Sequence, residues 1–350
     1  MLITESDEPS RTIMPMGIAH FIKDIGRGKE GARALTREHA ADLLGQILDG
    51  GITDLEIGAF CIAMRIKGES PQEMAGFLDA VRMRMLRVTC AQPVVVIPSY
   101  NGARKLPGLT TLLAALLARE GHKRQVASGH GFAVLVHGCS TEASRVPTQA
   151  VHTAVFGDFF KQIEQLAPIE PAPSAIDLIV KESPHFLPTA QLSPALQRLL
   201  DVRRTIGLRN PAHSLVKLMN PMHPASGSPS RANALIVTSY THPEYLQNMT
   251  ETLQLVGSHA MLLRGTEGEA VADARRRPRM DGFVNGQPVP LCETEGGSLT
   301  LLPDLPKTCD AAATAFYTQQ VLAGEKPVPE PIRAQVEHIL QLLMKMETTA

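Results

Sequence analysis

Between residues 93 and 263, short aliphatic runs alternate with stretches of helical periodicity. That alternation restricts the possible folds more than anything else in the chain. Val94-Val95-Val96-Ile97 and the runs at 132–136, 234–238 and 260–263 are nearly all apolar, as strands covered on both faces must be. Residues 109–120 and 243–256 carry helical spacing between them. This succession predicts an α/β domain with a mostly parallel central sheet. Asn285-Gly286 predicts a hairpin turn, since both residues tolerate positive φ. Residues 309–322 and 331–346 read as closing helices, and the Pro-rich stretch 168–188 as an irregular crossing between lobes.

Before this alternation the pattern is helical. Thr36 precedes the apolar series Ala40, Leu43, Leu44, Ile47 and Leu48, which ends at Gly50-Gly51. Thr53 with Glu56, and Ser70 with Glu73, are capping boxes in which each side chain satisfies a backbone N–H left open by the first turn. Pro71 sits where a first helical residue needs no N–H. The expected organisation is a small helical domain over residues 1–90, joined by helices from about 190–212, and an α/β domain over 91–350.

No apolar run approaches the roughly 18 residues needed to cross a bilayer, and residues 1–10 lack the basic and apolar regions of a leader, so a cytoplasmic chain without a membrane partner is expected. Five cysteines without C-x-x-C spacing indicate neither a zinc site nor a disulfide framework. The net charge of −1 hides an uneven distribution. Residues 91–231 carry +6, between flanks of −2 and −5. A local excess of this kind matters more to a polyanion than the whole-chain sum.

Several segments offer candidate chemistry. His137-Gly138-Cys139-Ser140-Thr141 follows an apolar run, where open α/β sheets place ligands; an ordinary strand-to-loop turn is the plainer reading. The loop Pro98-Ser99-Tyr100-Asn101-Gly102-Ala103, followed by Arg104-Lys105, also joins a strand to a helix, so its amides are able to receive an anion, although one glycine does not wrap a phosphate closely. Arg203, Arg204 and Arg209 gather around a helix end at Gly207, as an anion-binding face or as a solvated one. Arg275-Arg276-Arg277-Pro278-Arg279 is the densest basic run, and such runs are usually exposed loops.

Taken together, these segments resemble the anthranilate phosphoribosyltransferase family, within the nucleoside phosphorylase and phosphoribosyltransferase superfamily. Residues 51–76 are similar to that family's N-terminal helices. Val202-Arg203-Arg204-Thr205-Ile206-Gly207-Leu208-Arg209 resembles its anthranilate-site helix, and His223-Pro224-Ala225 stands in for the Asn-Pro-Ala turn that follows. Arg264-Gly265-Thr266-Glu267-Gly268 resembles its His-Gly-x-x-Gly turn. The departures fall on the reaction centre. The family's Gly-Thr-Gly-Gly-Asp loop corresponds to Pro98-Ser99-Tyr100-Asn101-Gly102, and its Lys-His-Gly-Asn-Arg turn to Val136-His137-Gly138-Cys139-Ser140, without the two cations. Its Asp-Glu magnesium pair corresponds to Ala270-Val271, which offer no oxygen ligands.

The resemblance is to the YbiB-type subgroup, which implies a homodimer binding single- or double-stranded nucleic acid without sequence preference. Losing cations and metal ligands is hard to square with a reaction that must offset a departing pyrophosphate. No catalytic residue, metal or cofactor is therefore expected. Arg104, Lys105, Lys123, Arg124, Arg145, Arg203, Arg204, Arg209 and Lys217 are the candidate phosphate contacts, and Asn101, Gly102, His137, Gly138 and Arg203 the remnant of a phosphate and acceptor site. The alternative is a glycosyl or phosphoribosyl transferase with an unassigned acceptor, using magnesium, with Arg203 on an acceptor carboxylate and His137 near the sugar. A sensor of small anions at the old acceptor site is a third reading.

Overall fold

The computed structural model describes residues 17–140, 142–157, 175–224, 233–297 and 302–349. Its N-terminal helices are α1 (Ala19–Ile25), α2 (Gly28–Gly31), α3 (Arg37–Asp49), α4 (Asp54–Lys67) and α5 (Pro71–Arg82). Their ends follow the sequence signals. The Thr36 hydroxyl accepts from His39 N–H, Gly50 closes α3 in the left-handed conformation, and both capping boxes are formed. Leu43, Leu44, Phe60, Met64 and Phe77 are fully buried where α3, α4 and α5 meet, each contributing about 1.5–3 kcal/mol of apolar burial.

The large domain holds a seven-stranded sheet in the order β5-β3-β2-β6-β7-β8-β9. Its parallel strands are β2 (Val94–Ser99), β3 (Ala133–Gly138), β5 (His185–Pro188), β6 (Ala234–Tyr240) and β7 (His259–Arg264). The antiparallel β8 (Met280–Val284) and β9 (Gln287–Cys292) follow, joined through the expected turn, where Asn285 has φ 50° and Gly286 φ 75°. Successive residues of each strand face opposite cores. Val94, Val96, Leu135 and Ile236 join the core shared with the helical unit. Val95, Ile97, Val134 and Val237 pack under α6 (Thr110–Ser128) and the closing helices α12 (Ala311–Leu322) and α13 (Glu330–Thr349).

The stretch expected to be irregular, 168–188, is only partly so, and residues 168–174 lie outside the described residues. It contains β4 (Ala175–Leu178), which pairs with β1 (Arg87–Cys90) in a separate two-stranded sheet, and the edge strand β5. Pro188 closes β5 at the sheet edge, where a missing N–H costs no ladder bond. Helix α7 (Thr148–Phe156) follows β3; after α8 (Thr189–Leu192), helix α9 (Pro194–Ile206) packs on α3, and α10 (Ala212–Leu218) lies between α5 and the strands β2 and β6. Helix α11 (Glu244–Leu255) also rests on α5. The loops after β2, β6 and β7 therefore open beneath the helical unit.

Candidate functional site

Two loops at the C-terminal ends of β2 and β7, the strands on either side of β6, interlock. After β7 the chain reverses through Thr266-Glu267-Gly268-Glu269, with Glu269 N–H donating to Thr266 O at 2.9 Å and left-handed backbone at Glu267 (φ 55°) and Gly268 (φ 87°). This tight turn directs two carboxylates at the loop after β2. Glu269 Oε1 accepts the N–H of Asn101 at 2.6 Å and that of Gly102 at 2.7 Å, and Oε2 accepts the Ser99 hydroxyl. Glu267 Oε1 accepts from Lys105 N at 3.0 Å and Leu106 N at 3.2 Å, while its Oε2 receives Arg145 Nη1 at 3.3 Å. Consecutive amides between a strand and a helix form an anion receptor, and here carboxylates of the same chain fill it. Glu269 is fully buried. Burial raises its pKa, and the Ser99, Gly102 and Asn101 donors pull the other way.

The glycines of the interlock are steric necessities. Gly102 has φ 74°, and a Cβ on it would lie 2.7 Å from Val146 O. A Cβ on Gly268 would lie 2.6 Å from Asn101 Nδ2.

Beside the interlock, a cleft of about 360 Å³ separates the helical unit from the sheet. Met64, Gly68 and Met74 form one wall, and Tyr100, Arg209, His213 and Lys217 line the other. Lys217 is buried, with Nζ donating to Ser239 O at 2.9 Å and lying 5.6 Å from the centroid of the Tyr100 ring. Burial pushes its ammonium down to about 8 against the opposing pull of Glu269, and Arg209 lowers it further. Arg209 Nη2 donates to Asn101 Oδ1 at 3.0 Å. His213 is tied to Asn210 through Nδ1, its Nε2 is buried without a partner, and burial takes the ring down to about 4.

The structure divides the residues singled out from the sequence. Arg104 and Lys105 are exposed on the loop of the interlock, and Arg204 is 65% exposed with weak ties to Asp201 and Ser140 O. Arg145 is held between Glu142 (2.8 Å) and Glu267, and Arg203 pairs with the same Glu142 through Nη2 while its buried Nη1 has no partner among the described residues. Lys217 lies on the cleft floor rather than on the surface. Lys123 and Arg124 are not brought together with the others. Helix α6 runs back from the end of β2 to the start of β3, where Gly121 abuts Phe132 O, so its last turns lie at the opposite end of the sheet.

His137 corrects the expectation more sharply. It points into the core, fully buried, with Nε2 on Met219 O at 3.0 Å, and burial lowers it to about 4. It does not line the cleft. Gly138 is there because β2 and β3 come close: a Cβ would meet Ser99 O at 2.0 Å. Thr141 and Ala225 lie outside the described residues. The basic run at 275–279 is spent internally, on Asp273, Gly297 O, Glu330 and Asp281. Sequence reasoning named Ser99 and Glu267 only as members of their loops, and it missed Glu269 and His213. No local signal marks Glu269, whose partners are backbone amides far away in the sequence.

Ala270 and Val271 are buried among apolar side chains, so they do not fit a magnesium site. Among the described residues no three His, Cys, Asp or Glu side chains are grouped to hold a metal, and no helix is long and apolar enough to cross a membrane.

A helical unit on a mostly parallel sheet is the glycosyl transferase fold, and residues 19–85 match the family described as "Glycosyl transferase family, helical bundle domain". The chain is 35% identical over 328 residues to the "Uncharacterized protein YbiB" of Escherichia coli (strain K12), covering 92% of each. It is 30% identical to the anthranilate phosphoribosyltransferase of Anaeromyxobacter sp. (strain K), covering 84% of this chain and 80% of that one. It therefore belongs to the anthranilate phosphoribosyltransferase-like family. Its fold is that of the Saccharomyces cerevisiae anthranilate phosphoribosyltransferase solved with PRPP and Mg (TM-score 0.62, 14% identity, 94% and 89% covered). The Thermus thermophilus enzyme is also similar (TM-score 0.58, 21% identity, 90% and 85% covered).

Proposed function

We propose that this chain binds nucleic acid without sequence preference and uses the phosphoribosyltransferase fold without performing phosphoribosyl transfer to anthranilate. The observation that carries the second half is Glu269. Its carboxylate occupies the two amides that an incoming diphosphate would need, and a second anion there would meet both its charge and its bulk. Support for the first half is electrostatic. Arg104 and Lys105 are exposed beside the cleft, Arg204 is exposed on α9, and Arg209 stands at the cleft edge, within the segment of +6 net charge. With no Trp and only four Tyr, contact through the phosphate backbone is the expected mode rather than base stacking.

The transferase alternative has less to stand on, because His137 is sealed in the core and Arg203 is committed to Glu142. Two titrations test the proposal. Phosphoribosyl diphosphate with magnesium is expected to give no binding heat at millimolar ligand. Oligonucleotides are expected to shift in a gel at low salt, with affinity falling steeply as salt rises. Heat in the first, or no shift in the second, ends the corresponding half.

A further inference from the structure

Lys217 has more donors than partners. An ammonium carries three N–H groups. Nζ places one on Ser239 O at 2.9 Å and has the Tyr100 ring at 5.6 Å; Glu269 acts on it through its charge, with no ion pair between them. Lys217 is among the residues that line the cleft of about 360 Å³, a volume that accepts a small organic molecule. Two neighbours on the same wall are similarly under-used. Among the described residues, Arg209 gives one hydrogen bond, to Asn101 Oδ1, and His213 Nε2 is buried with none. An amine in a desolvated pocket beside another cation is the arrangement that makes a lysine nucleophilic.

We propose that Lys217 is a carbonyl-reactive amine, and that the cleft takes an aldehyde bearing a phosphate or similar anionic group, bound to Lys217 as an imine. The Nζ lone pair forms the C–N bond to the carbonyl carbon. The carbonyl oxygen then departs as water with the two amine hydrogens, so no oxidant or reductant enters the step. Arg209 receives the anionic group, and His213 Nε2 meets a hydroxyl of the ligand through whichever role its tautomer allows. The amine is available for this. With its ammonium pushed down to about 8 by burial, a far larger share is neutral near neutral pH than in an exposed lysine. Nucleic-acid binding plays no part in this chemistry.

The test uses the full-length protein with pyridoxal 5′-phosphate at a sub-stoichiometric ratio, reduction by borohydride and peptide mapping. The reduced adduct is expected mainly on the peptide containing Lys217, ahead of surface lysines such as Lys105 and Lys123. The variant Lys217→Arg keeps the cation near Glu269, should fold, and is expected to lose that adduct. 5′-Deoxypyridoxal, which lacks the phosphate and cannot close to an internal hemiacetal, should react roughly tenfold more slowly at Lys217, for want of the charge-assisted contact to Arg209. Label spread over the surface lysines, or an equal yield from Lys217→Arg, overturns the proposal. Equal rates with and without the phosphate overturn the assigned ligand class.

Discussion

The N–H of Gly102 points at Glu269 Oε1 from 2.7 Å, and the same oxygen holds the N–H of Asn101. The receptor loop is thus satisfied from within. Removing the carboxylate by Glu269→Ala leaves two buried amides and the Ser99 hydroxyl without an acceptor, and Lys217 without its nearest negative charge. A loss of about 3–5 kcal/mol is expected in chemical denaturation. The vacated amides should then answer to an outside anion. Pyrophosphate should raise the Tm of Glu269→Ala and leave the wild type where it was; an equal rise in both would mean that Glu269 does not block the loop.

The placement of the cations yields a comparison at constant charge. The double variant Arg104→Glu/Lys105→Glu alters the loop beside the cleft, and Lys123→Glu/Arg124→Glu alters the far end of the sheet by the same net amount. The first should weaken oligonucleotide binding and lower the slope of log affinity against log salt by about 2, one phosphate contact per cation. The second should bind like the wild type. Equal weakening by both would point to the overall field of the protein rather than to a groove.

Those two pairs also mark the limit of what the sequence revealed. Strand and helix positions were legible because each rests on local signals: the caps at Thr36, Thr53 and Ser70, the apolar run at Val94, the turn at Asn285. Arg104 and Lys123 look alike in one dimension, and only the reversal of direction along α6 separates them by the depth of the sheet. His137 was misjudged for a related reason. It follows an apolar run as a ligand-binding residue would, yet β3 continues through Gly138, which leaves the imidazole inside the core. Glu269 was overlooked because its partners are backbone amides 167 and 168 residues away, which no side-chain pattern announces.

Helix α4 supplies a surface prediction. Leu55, Ile62 and Ile66 share one side of it and are 83%, 39% and 55% exposed, an apolar stripe that a monomer would leave in water. We expect a homodimer formed through this side of α4. Leu55→Glu/Ile62→Glu should halve the mass measured by light scattering while lowering the Tm of the protomer little, since neither side chain is part of the core. An unchanged dimer mass in that variant would exclude this face.

The buried imidazoles predict how the fold responds to acid. His137, His185 and His213 are each taken down to about 4, in every case chiefly by burial, so the folded state keeps them neutral while the unfolded chain protonates them near 6.5. Between those values the unfolded state binds more protons, and stability falls as pH drops from about 6.5 towards 4. The carboxylates held low by arginine, Asp49 and Glu142 among them, lose their contribution only below about 4.5 and do not act in the upper part of this window. Glu269, raised by burial, works in the opposite direction and blunts the loss. Denaturation at pH 7.0 and 5.0 should therefore show a clear drop, with His137 contributing on the order of 1–2 kcal/mol. His137→Gln can still donate to Met219 O but binds no proton, so its drop between the two pH values should be smaller by that amount. A drop equal to that of the wild type would mean that His137 is protonated inside the fold, and would require a second acceptor beside its unpartnered Nδ1.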